Sequence, residues 1–250
     1  GDLLRSSSEQ LDLVVDDEPA YPANETVADI VTAAEAAAEE LGAEPLGEIS
    51  ADLNRAQNAD GSENRGGEST IGNLIADVQL WATQDLGSDI AFMNPGGIRN
   101  DIAYAGEEGS ETNTDGVVTY EEAAIVQPFA NTLNTMELTG AQIVDVLEEQ
   151  WQPEGASRDF LKLGVSQGFN YTYNPEAPAG ERIRTVTLDG EQLDPEASYT
   201  VTVNSFLASG GDNFTTFAEG ADVADSGRID LQAFVDYLDE ASPVSPDYAQ

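Results

Sequence analysis

The feature that most constrains the fold is a short apolar segment that stops at a pair of glycines. Residues 88–93 end in four apolar residues, and this run predicts a buried β-strand. Asn94, Pro95, Gly96 and Gly97 follow, and a Pro-Gly-Gly sequence is typical of a turn. Adjacent glycines permit positive φ angles and have no Cβ atom to obstruct a ligand at the main chain. The segment therefore predicts a strand that ends in a turn open to a ligand.

The polar groups beside this turn indicate what such a ligand would carry. Asn94 supplies an amide that both donates and accepts, and Arg99 supplies a planar guanidinium with several donors. Together they suit a molecule with a heterocycle edge and anionic or hydroxyl oxygens. A structural alternative stays open, in which the turn only ends the strand and Arg99 pairs with one of the many carboxylates.

A second segment of the same design lies near the C-terminus. Residues 199–203 alternate as a strand does, and Asn204, Phe206, a Gly-Gly pair and Asp212 follow within nine residues. Here too a strand leads to an aromatic ring, a flexible turn and one polar side chain. The sequence thus predicts two strands that deliver similar groups.

The rest of the chain mixes helical and extended patterns, which predicts an α+β fold. Helices are predicted over residues 26–41, 70–81, 119–125, 139–151 and 231–238 from their apolar periodicity and capping residues. Strands are predicted over residues 11–15, 46–53, 135–139, 169–173 and 183–188. Asp189 and Gly190 mark a turn, although the strand expected at 199–203 begins too late for the tightest hairpin.

The charge balance excludes two classes of partner. The chain has 9 Lys and Arg against 48 Asp and Glu, a net charge of −39. Such a surface repels nucleic acid polymers and anionic membranes, and it is typical of adaptation for solubility, including adaptation to salt. No run of 18 apolar residues occurs, so no membrane span is expected.

Two absent residue types exclude several kinds of chemistry. Without cysteine there is no disulfide, thiol nucleophile or zinc-thiolate site, and without histidine there is no Ser-His-Asp triad or His-containing metal site. With 250 residues the chain can form one large domain, or one domain with an appendage. It starts without Met and without the apolar core of a signal peptide, so we expect it to be part of a longer protein.

An acidic loop ahead of residue 122 permits two interpretations. Glu111, Asn113, Asp115 and Glu122 fall at positions 1, 3, 5 and 12 of an EF-hand-like calcium loop. Position 1 is Glu rather than Asp, however, and no helical pattern precedes it. Thr119 and Glu122 equally have the spacing of a capping box that opens the next helix.

Four stretches, in this order and spacing, resemble one family. That family is the C-terminal domain of secreted and periplasmic 5′-nucleotidases, the ecto-5′-nucleotidase and UDP-sugar hydrolase group. The resemblance covers about residues 47 to 238. The stretches are Arg65-x-x-Glu68-x-x-x-Gly72-Asn73-Leu74, Asn94-x-Gly96-Gly97-Ile98-Arg99, Pro128-Phe129-x-Asn131 and Asn204-x-Phe206-x-x-x-Gly210-Gly211-Asp212.

The resemblance implies a domain organisation and a fold. Residues 1–25 would be an N-terminal extension, residues 26–46 an inter-domain linker helix and residues 47–250 the substrate-binding domain. That domain would be an α+β layered sandwich with helices packed outside mixed β-sheets.

The resemblance also implies roles for individual side chains. Phe129 and Phe206 are similar to the two rings that clamp the nucleobase, and base-aromatic stacking contributes about 1–3 kcal/mol per base. The remaining substrate-binding positions would be Asn94 for the base edge, Asp212 for the ribose hydroxyls, Arg65 and Arg99 for ribose and phosphate oxygens, the open turn at Gly96 and Gly97, and Asn131, which follows the bacterial branch of the pattern.

Catalysis in that family belongs to a separate N-terminal metallophosphatase domain with two divalent metal ions and a catalytic His-Asp pair. This histidine-free chain would therefore hold no metal and no catalytic residue, and alone it would be inactive. The expected partners are a nucleoside or nucleotide and the protein's own metallophosphatase domain.

The implied function is substrate binding in an exported bacterial 5′-nucleotidase that is secreted, periplasmic or at the cell surface. Two alternatives stay open. One is the same role in a 2′,3′-cyclic-nucleotide phosphodiesterase/3′-nucleotidase or a UDP-sugar hydrolase; the other is an inactive, free-standing nucleotide-binding module.

Overall fold

The computed structural model describes residues 10–15 and 17–247. Part of the expected N-terminal extension, residues 1–9 and Asp16, lies outside the described residues, as do residues 248–250. The chain divides into two compact units, residues 1–41 and residues 42–250. None of the helices in the described residues is both long and apolar enough to cross a membrane.

In its described residues, the first unit contains a small hairpin and all but the last residue of one helix. Strands β1 (Val14–Val15) and β2 (Glu18–Pro19) pair antiparallel, so only the end of the strand predicted over 11–15 is extended. Helix α1 (Glu25–Gly42) confirms the predicted helix to within a residue at each end. Its larger apolar side chains, including Ile30 at 64% exposed, face outward. The assignment of this helix as an inter-domain linker stays a prediction.

The second unit holds the remaining strands and helices. In chain order they are β3 (Pro45–Glu48), α2 (Thr70–Thr83), β4 (Ile90–Met93), β5 (Val117–Thr119), α3 (Tyr120–Val126), β6 (Thr132–Thr139), α4 (Gly140–Glu148), β7 (Gly164–Val165), β8 (Phe169–Tyr173), β9 (Ile183–Leu188), β10 (Glu191–Gln192), β11 (Ser198–Asn204), α5 (Ser205–Ala208), β12 (Ala221–Ile229) and α6 (Asp230–Ala241).

The central sheet of this unit is mixed. Its strand order is β12-β6-β11-β4-β7, and β11 and β4 run parallel whereas the other neighbours are antiparallel. A three-stranded antiparallel sheet, β10-β9-β8, and the pair β3-β5 complete the unit. Because β4 and β11 are parallel neighbours, their carboxyl ends meet at one edge, and the loops that follow them are brought together.

Both faces of the central sheet are buried at strand β4. Met93 packs into a core with helices α2 and α6, whereas Ile90 and Phe92 point into a second core with α4, β8 and β9. The alternation follows from the period of two along a strand. On the first face Thr202 is buried too, and its hydroxyl lies 2.7 Å from the hydroxyl of Thr83 on α2. Helices on both faces explain why β4 is apolar throughout.

Two capping boxes fix the starts of the helices that follow strands β5 and β6. The carboxylate of Glu122 accepts from the backbone N–H of Thr119 at 2.8 Å and from its hydroxyl at 2.9 Å, and Thr139 and Gln142 repeat the arrangement at α4. The capping-box interpretation of Thr119 and Glu122 is therefore confirmed. Among the described residues, no group of three or more His, Cys, Asp or Glu side chains is arranged to hold a metal ion.

Several predicted boundaries of strands and helices were wrong. The strand predicted over 46–53 ends at Glu48, beyond which Ile49 and Leu53 form only isolated bridges. The helix predicted to reach Trp151 ends at Glu148. Asp189 and Gly190 do form a two-residue hairpin, with φ angles of 51° and 82°, but it joins β9 to the short strand β10, which was not predicted. Both positive φ angles match the turn type that such hairpins favour.

Candidate functional site

The loops at the carboxyl ends of β4 and β11 enclose a cleft of about 300 Å³. We call it the cleft. All the predicted site residues except Arg99 line it, together with Asn204. The lining residues are Arg65, Asn94, Gly96, Gly97, Phe129, Asn131, Asn204, Phe206 and Asp212. Arg99 lies at its margin, where Nη1 is 3.4 Å from the carbonyl oxygen of Gly96 and Cζ is 5.8 Å from the centroid of the Phe129 ring.

Two aromatic rings of the cleft are exposed rather than part of the core. Phe129 is 54% exposed and Phe206 is 44% exposed, whereas five of the six other Phe rings are buried. Phe206 lies against the backbone of Gly211, where an added Cβ atom would come within 2.5 Å of the ring. Glycine is thus required at 211 for this ring position. Exposed rings that border a cleft offer stacking faces to a planar ligand.

A chain of side-chain hydrogen bonds links the two strand ends. Asn204 donates from Nδ2 to Oδ1 of Asn94 at 3.0 Å, and Asn94 donates from Nδ2 to Oδ2 of Asp212 at 2.8 Å. Asn204 is itself held because its Oδ1 caps α5 by accepting from the N–H of Leu207 at 2.9 Å. The chain fixes which way each amide faces. It leaves Asn94 one N–H and one lone pair beyond these bonds.

The backbone at Asp212 has an unusual conformation. Its φ is 54° and that of Asn213 is 63°, in the left-handed region that residues other than glycine seldom adopt. Asp and Asn tolerate this region better than most residues. The conformation turns the carboxylate of Asp212 back toward the cleft, where it meets the amide of Asn94.

The glycine pair after β4 leaves room for these polar groups. A Cβ atom on Gly96 would lie 3.1 Å from Nη1 of Arg65 and 3.3 Å from Oδ2 of Asp212. A Cβ atom on Gly97 would lie 2.9 Å from Oδ1 of Asn94. The guanidinium and the carboxylate therefore both face the backbone at Gly96. This close approach explains why two glycines follow β4.

Asn131 is also held in place by neighbours outside the cleft. Its Nδ2 donates to Oδ2 of Asp230 at 3.1 Å, and its Oδ1 accepts from the hydroxyl of Ser205 at 3.3 Å. Asp230 opens α6 and is 2% exposed, and this burial raises the pKa of its carboxyl group. Asn131 thus presents its amide in a defined orientation.

Sequence reasoning missed three residues that support the site. Asn204 lies in a recognised motif, and its place at the end of a strand, like that of Asn94, was the available signal. Glu63, which accepts from Nε of Arg65 at 2.8 Å, and Asp230 carried no such signal. Their partners are distant in sequence or depend on loop geometry, so only the folded chain reveals them.

A larger groove elsewhere does not resemble a ligand site of this kind. It encloses about 630 Å³ beside Trp81, Gln232 and Arg228. The guanidinium of Arg228 is already paired with both carboxylate oxygens of Asp85, each at 2.7 Å. None of the predicted site residues lines this groove.

The arrangement in the cleft suits the binding of a planar, polar ligand. It presents two ring faces, three amides, one carboxylate and one guanidinium at a single opening. These groups match a planar base, hydroxyls and an anion.

Comparison with known proteins agrees with the sequence motifs. The profile of the family described as 5′-nucleotidase, C-terminal domain, matches residues 45–219. The solved structure of a 5′-nucleotidase precursor from Thermus thermophilus superposes with a TM-score of 0.71 at 33% identity, over 91% of this chain and 43% of that one. The expected α+β architecture of that domain is thereby confirmed.

Two curated relatives are larger proteins. A cell wall protein of Listeria monocytogenes is 32% identical over 176 residues, which is 68% of this chain and 21% of the relative. A trifunctional nucleotide phosphoesterase of Bacillus subtilis is 32% identical over 187 residues, which is 72% of this chain and 12% of the relative. The chain therefore spans about a fifth or less of the length of these relatives.

Proposed function

Because this chain belongs to the family of 5′-nucleotidase C-terminal domains, we propose that it is the nucleoside-binding domain of a metal-dependent enzyme that hydrolyses nucleoside 5′-phosphates to nucleoside and phosphate. The observation that carries the proposal is the pair of exposed rings, Phe129 and Phe206, at a cleft that also holds Asp212 and Arg65. Exposed rings beside a carboxylate and a guanidinium are the groups that a base, a ribose and a phosphate require.

Each part of the nucleotide has a matching group in the cleft. The base stacks on Phe129 and Phe206. The side-chain amides of Asn94 and Asn131 each have one further N–H and one further lone pair, and these form hydrogen bonds with the edge of the base. The carboxylate of Asp212 accepts hydrogen bonds from the ribose hydroxyls. Arg65 and Arg99 attract the phosphate oxygens, and the ring of Phe129 beside Arg99 adds a cation–π contact.

The chemical step is assigned to an N-terminal metallophosphatase domain outside this sequence. Two divalent metal ions bound in that domain would supply an activated water and stabilise charge on the phosphoryl group. The residues of this chain bind the nucleoside and orient its phosphate toward that domain. We accordingly expect this chain alone to bind nucleosides without hydrolysing nucleotides.

We place the protein outside the cytoplasm, in the cell envelope or beyond it. Two relatives favour this location, since one is described as a cell wall protein and another as a precursor.

A second hydrolytic role is favoured by one relative. The Bacillus subtilis protein is described as a trifunctional nucleotide phosphoesterase, and stacking on two rings accepts any base. Action on 2′,3′-cyclic nucleotides, 3′-nucleotides or UDP-sugars is therefore the alternative within the same class. A non-catalytic binding module is the alternative outside it, and sequencing the gene upstream of Gly1 for a metallophosphatase domain separates the two classes.

Calorimetric titration of the chain with adenosine, uridine and AMP tests the proposal. Phe129→Ala and Phe206→Ala should each weaken binding of both nucleosides by about 1–3 kcal/mol, because either ring supplies a stacking face for any base. Both rings are exposed, so the thermal unfolding midpoint should change little.

Tyr104→Ala is the matched control, since this ring is 41% exposed and lies outside the cleft. Nucleoside affinity that is equal in the wild type, both Phe variants and the control would contradict the proposed clamp.

A further inference from the structure

A second hollow adjoins the cleft and shares Arg65 and Asp212 with it. We call it the side pocket. It encloses about 140 Å³, room for a group of the size of phosphate. Neither Phe129 nor Phe206 lines it, so it offers no stacking face. Its other lining residues are Gln152, Ala156, Ser157, Arg158, Leu161 and Asn213.

The side pocket lies where the chain concentrates its few positive charges. Glu63 lies 2.8 Å from Arg65, 3.3 Å from Arg55 and 3.6 Å from Arg158. Three guanidinium groups thus converge on one carboxylate in a chain with only 9 Lys and Arg against 48 Asp and Glu. Arg55 is further neutralised by Asp101 at 3.0 Å, which leaves Arg65 and Arg158 to share Glu63. The lining of the side pocket carries two guanidinium groups, those of Arg65 and Arg158, against the single carboxylate of Asp212. This local balance of charge, in so acidic a chain, favours an anion.

Arg158 is the cation of this cluster that is most available to a ligand. Its contact with Glu63 is the longest of the three, and its side chain is 45% exposed. Ser157, the preceding residue, also lines the side pocket. Asn213, from the loop after α5, donates from Nδ2 to Oε1 of Gln152 at 2.8 Å and is held by this bond. Asp212 is the acid in this lining and repels an anion, so the anion would contact Arg158 rather than Asp212.

We propose that the side pocket binds a phosphate group carried on the 2′ or 3′ position of the bound ribose. The inference rests on the proposed function, in which the carboxylate of Asp212 accepts hydrogen bonds from the ribose hydroxyls. A carboxylate that holds the 2′ and 3′ hydroxyls and also lines the side pocket puts those ribose positions at its entrance. A phosphate on one of them leaves the other hydroxyl for Asp212. Arg158 then donates to the phosphate in place of Glu63, and Ser157 adds a hydroxyl donor.

Titration with a set of adenosine derivatives tests the inference on the whole chain. The wild type should bind 2′-AMP or 3′-AMP about tenfold more tightly than adenosine, because a guanidinium–phosphate contact is a charge-assisted hydrogen bond. Arg158→Gln should remove this gain and leave the affinity for adenosine unchanged. The gain of 5′-AMP over adenosine should not respond to Arg158→Gln, since it depends on other residues.

Arg184→Gln is the control for net charge. It also removes one positive charge, but Arg184 is exposed on β9 and lines neither the cleft nor the side pocket, so the gain should persist. The inference would be overturned if adenosine, 2′-AMP and 3′-AMP bound with equal affinity. It would also be overturned if 2′-AMP or 3′-AMP still bound more tightly than adenosine in Arg158→Gln. Either result would leave the proposed function standing. A loss confined to 5′-AMP would overturn the assignment to the 2′ or 3′ position. Failure of adenosine itself to bind would overturn the proposed function and the side pocket with it.

Discussion

Asp212 shows how much of the cleft depends on single side chains. Its left-handed backbone costs roughly 1–2 kcal/mol relative to a helical conformation, and such strain persists where surrounding contacts determine it. Here the contact is the hydrogen bond from Asn94, which Asn204 orients in turn. The three residues come from the turn after β4, the last position of β11 and the loop after α5. The site is therefore positioned by a polar chain, and loss of one member would release the others.

Asp230 provides a pH-dependent test at the residue scale. Burial raises the pKa of its carboxyl group above the ordinary value of about 3.9. A raised pKa means that the native state holds the proton more tightly than the unfolded state, so this group favours folding below pH 4 and loses that contribution as pH rises toward its native pKa. The free energy of unfolding of the wild type minus that of Asp230→Asn should therefore fall as pH rises from 4.

Denaturant titrations of both proteins between pH 4 and 7 measure that difference. Subtracting the free energy of unfolding of the variant cancels the contribution of the many carboxylates common to both proteins. The test is therefore the slope of the difference against pH, and a constant offset between the two proteins does not affect it. A difference that stays flat, or rises with pH, would contradict a raised pKa at Asp230.

At the scale of elements, the parallel pair of β4 and β11 determines where the site lies. The two motifs with Gly-Gly pairs are more than a hundred residues apart, yet the sheet places both at one edge. The sequence predicted that both strands end in similar groups. It did not predict that they are neighbours, because strand order depends on packing across the whole sheet.

Helices were more predictable from the sequence than strands. Residues such as Thr119 and Thr139 satisfy local backbone donors, so their signal lies within four residues of the helix start. Strand β12 was missed because Ala221–Ile229 contains two Ala, two Asp and one Gly, which are depleted in strands, and because it is mostly exposed. It is extended only because β6 pairs with it, with two register shifts. The hydrogen-bonded chain in the cleft was missed for the same reason: its partners meet only in the fold.

The capping box of α4 gives a test at the element scale. The hydroxyl of Thr139 accepts from the N–H of Gln142 at 3.2 Å, and Oε1 of Gln142 accepts from the N–H of Thr139 at 2.9 Å. Thr139→Ala removes the hydroxyl and should lower the free energy of unfolding by about 1 kcal/mol. Thr139→Ser keeps the hydroxyl and should retain most of that stability.

Urea denaturation of the three proteins is the appropriate measurement. Equal losses in the Ala and Ser variants would show that the methyl group of Thr139, rather than its cap, stabilises this junction between β6 and α4.

At the scale of the whole molecule, the charged side chains are unevenly distributed. The net charge is −39, yet Arg55, Arg65 and Arg158 gather at one carboxylate beside the cleft. Repulsion among the remaining carboxylates destabilises a compact state, whereas under the proposed function the guanidinium groups of Arg65 and Arg99 attract the phosphate of the ligand. The acidic surface and the cleft therefore respond to salt in opposite ways: screening relieves repulsion in the fold and weakens attraction for a phosphate.

This opposition makes a final prediction about salt. The Debye length falls from about 30 Å at 0.01 M to about 10 Å at 0.1 M and about 3 Å at 1 M, so most repulsion is screened at moderate salt. The thermal unfolding midpoint should rise steeply as NaCl increases from 0.01 to about 0.3 M and then level off, while the affinity for AMP falls and that for uncharged adenosine changes little. The same titration near pH 4, where carboxylates protonate at about 3.9–4.3, is the control, and there the salt response of the midpoint should be much smaller. A midpoint that is independent of salt at pH 7, or that responds equally at both pH values, would show that the net charge of −39 does not limit the stability of this fold.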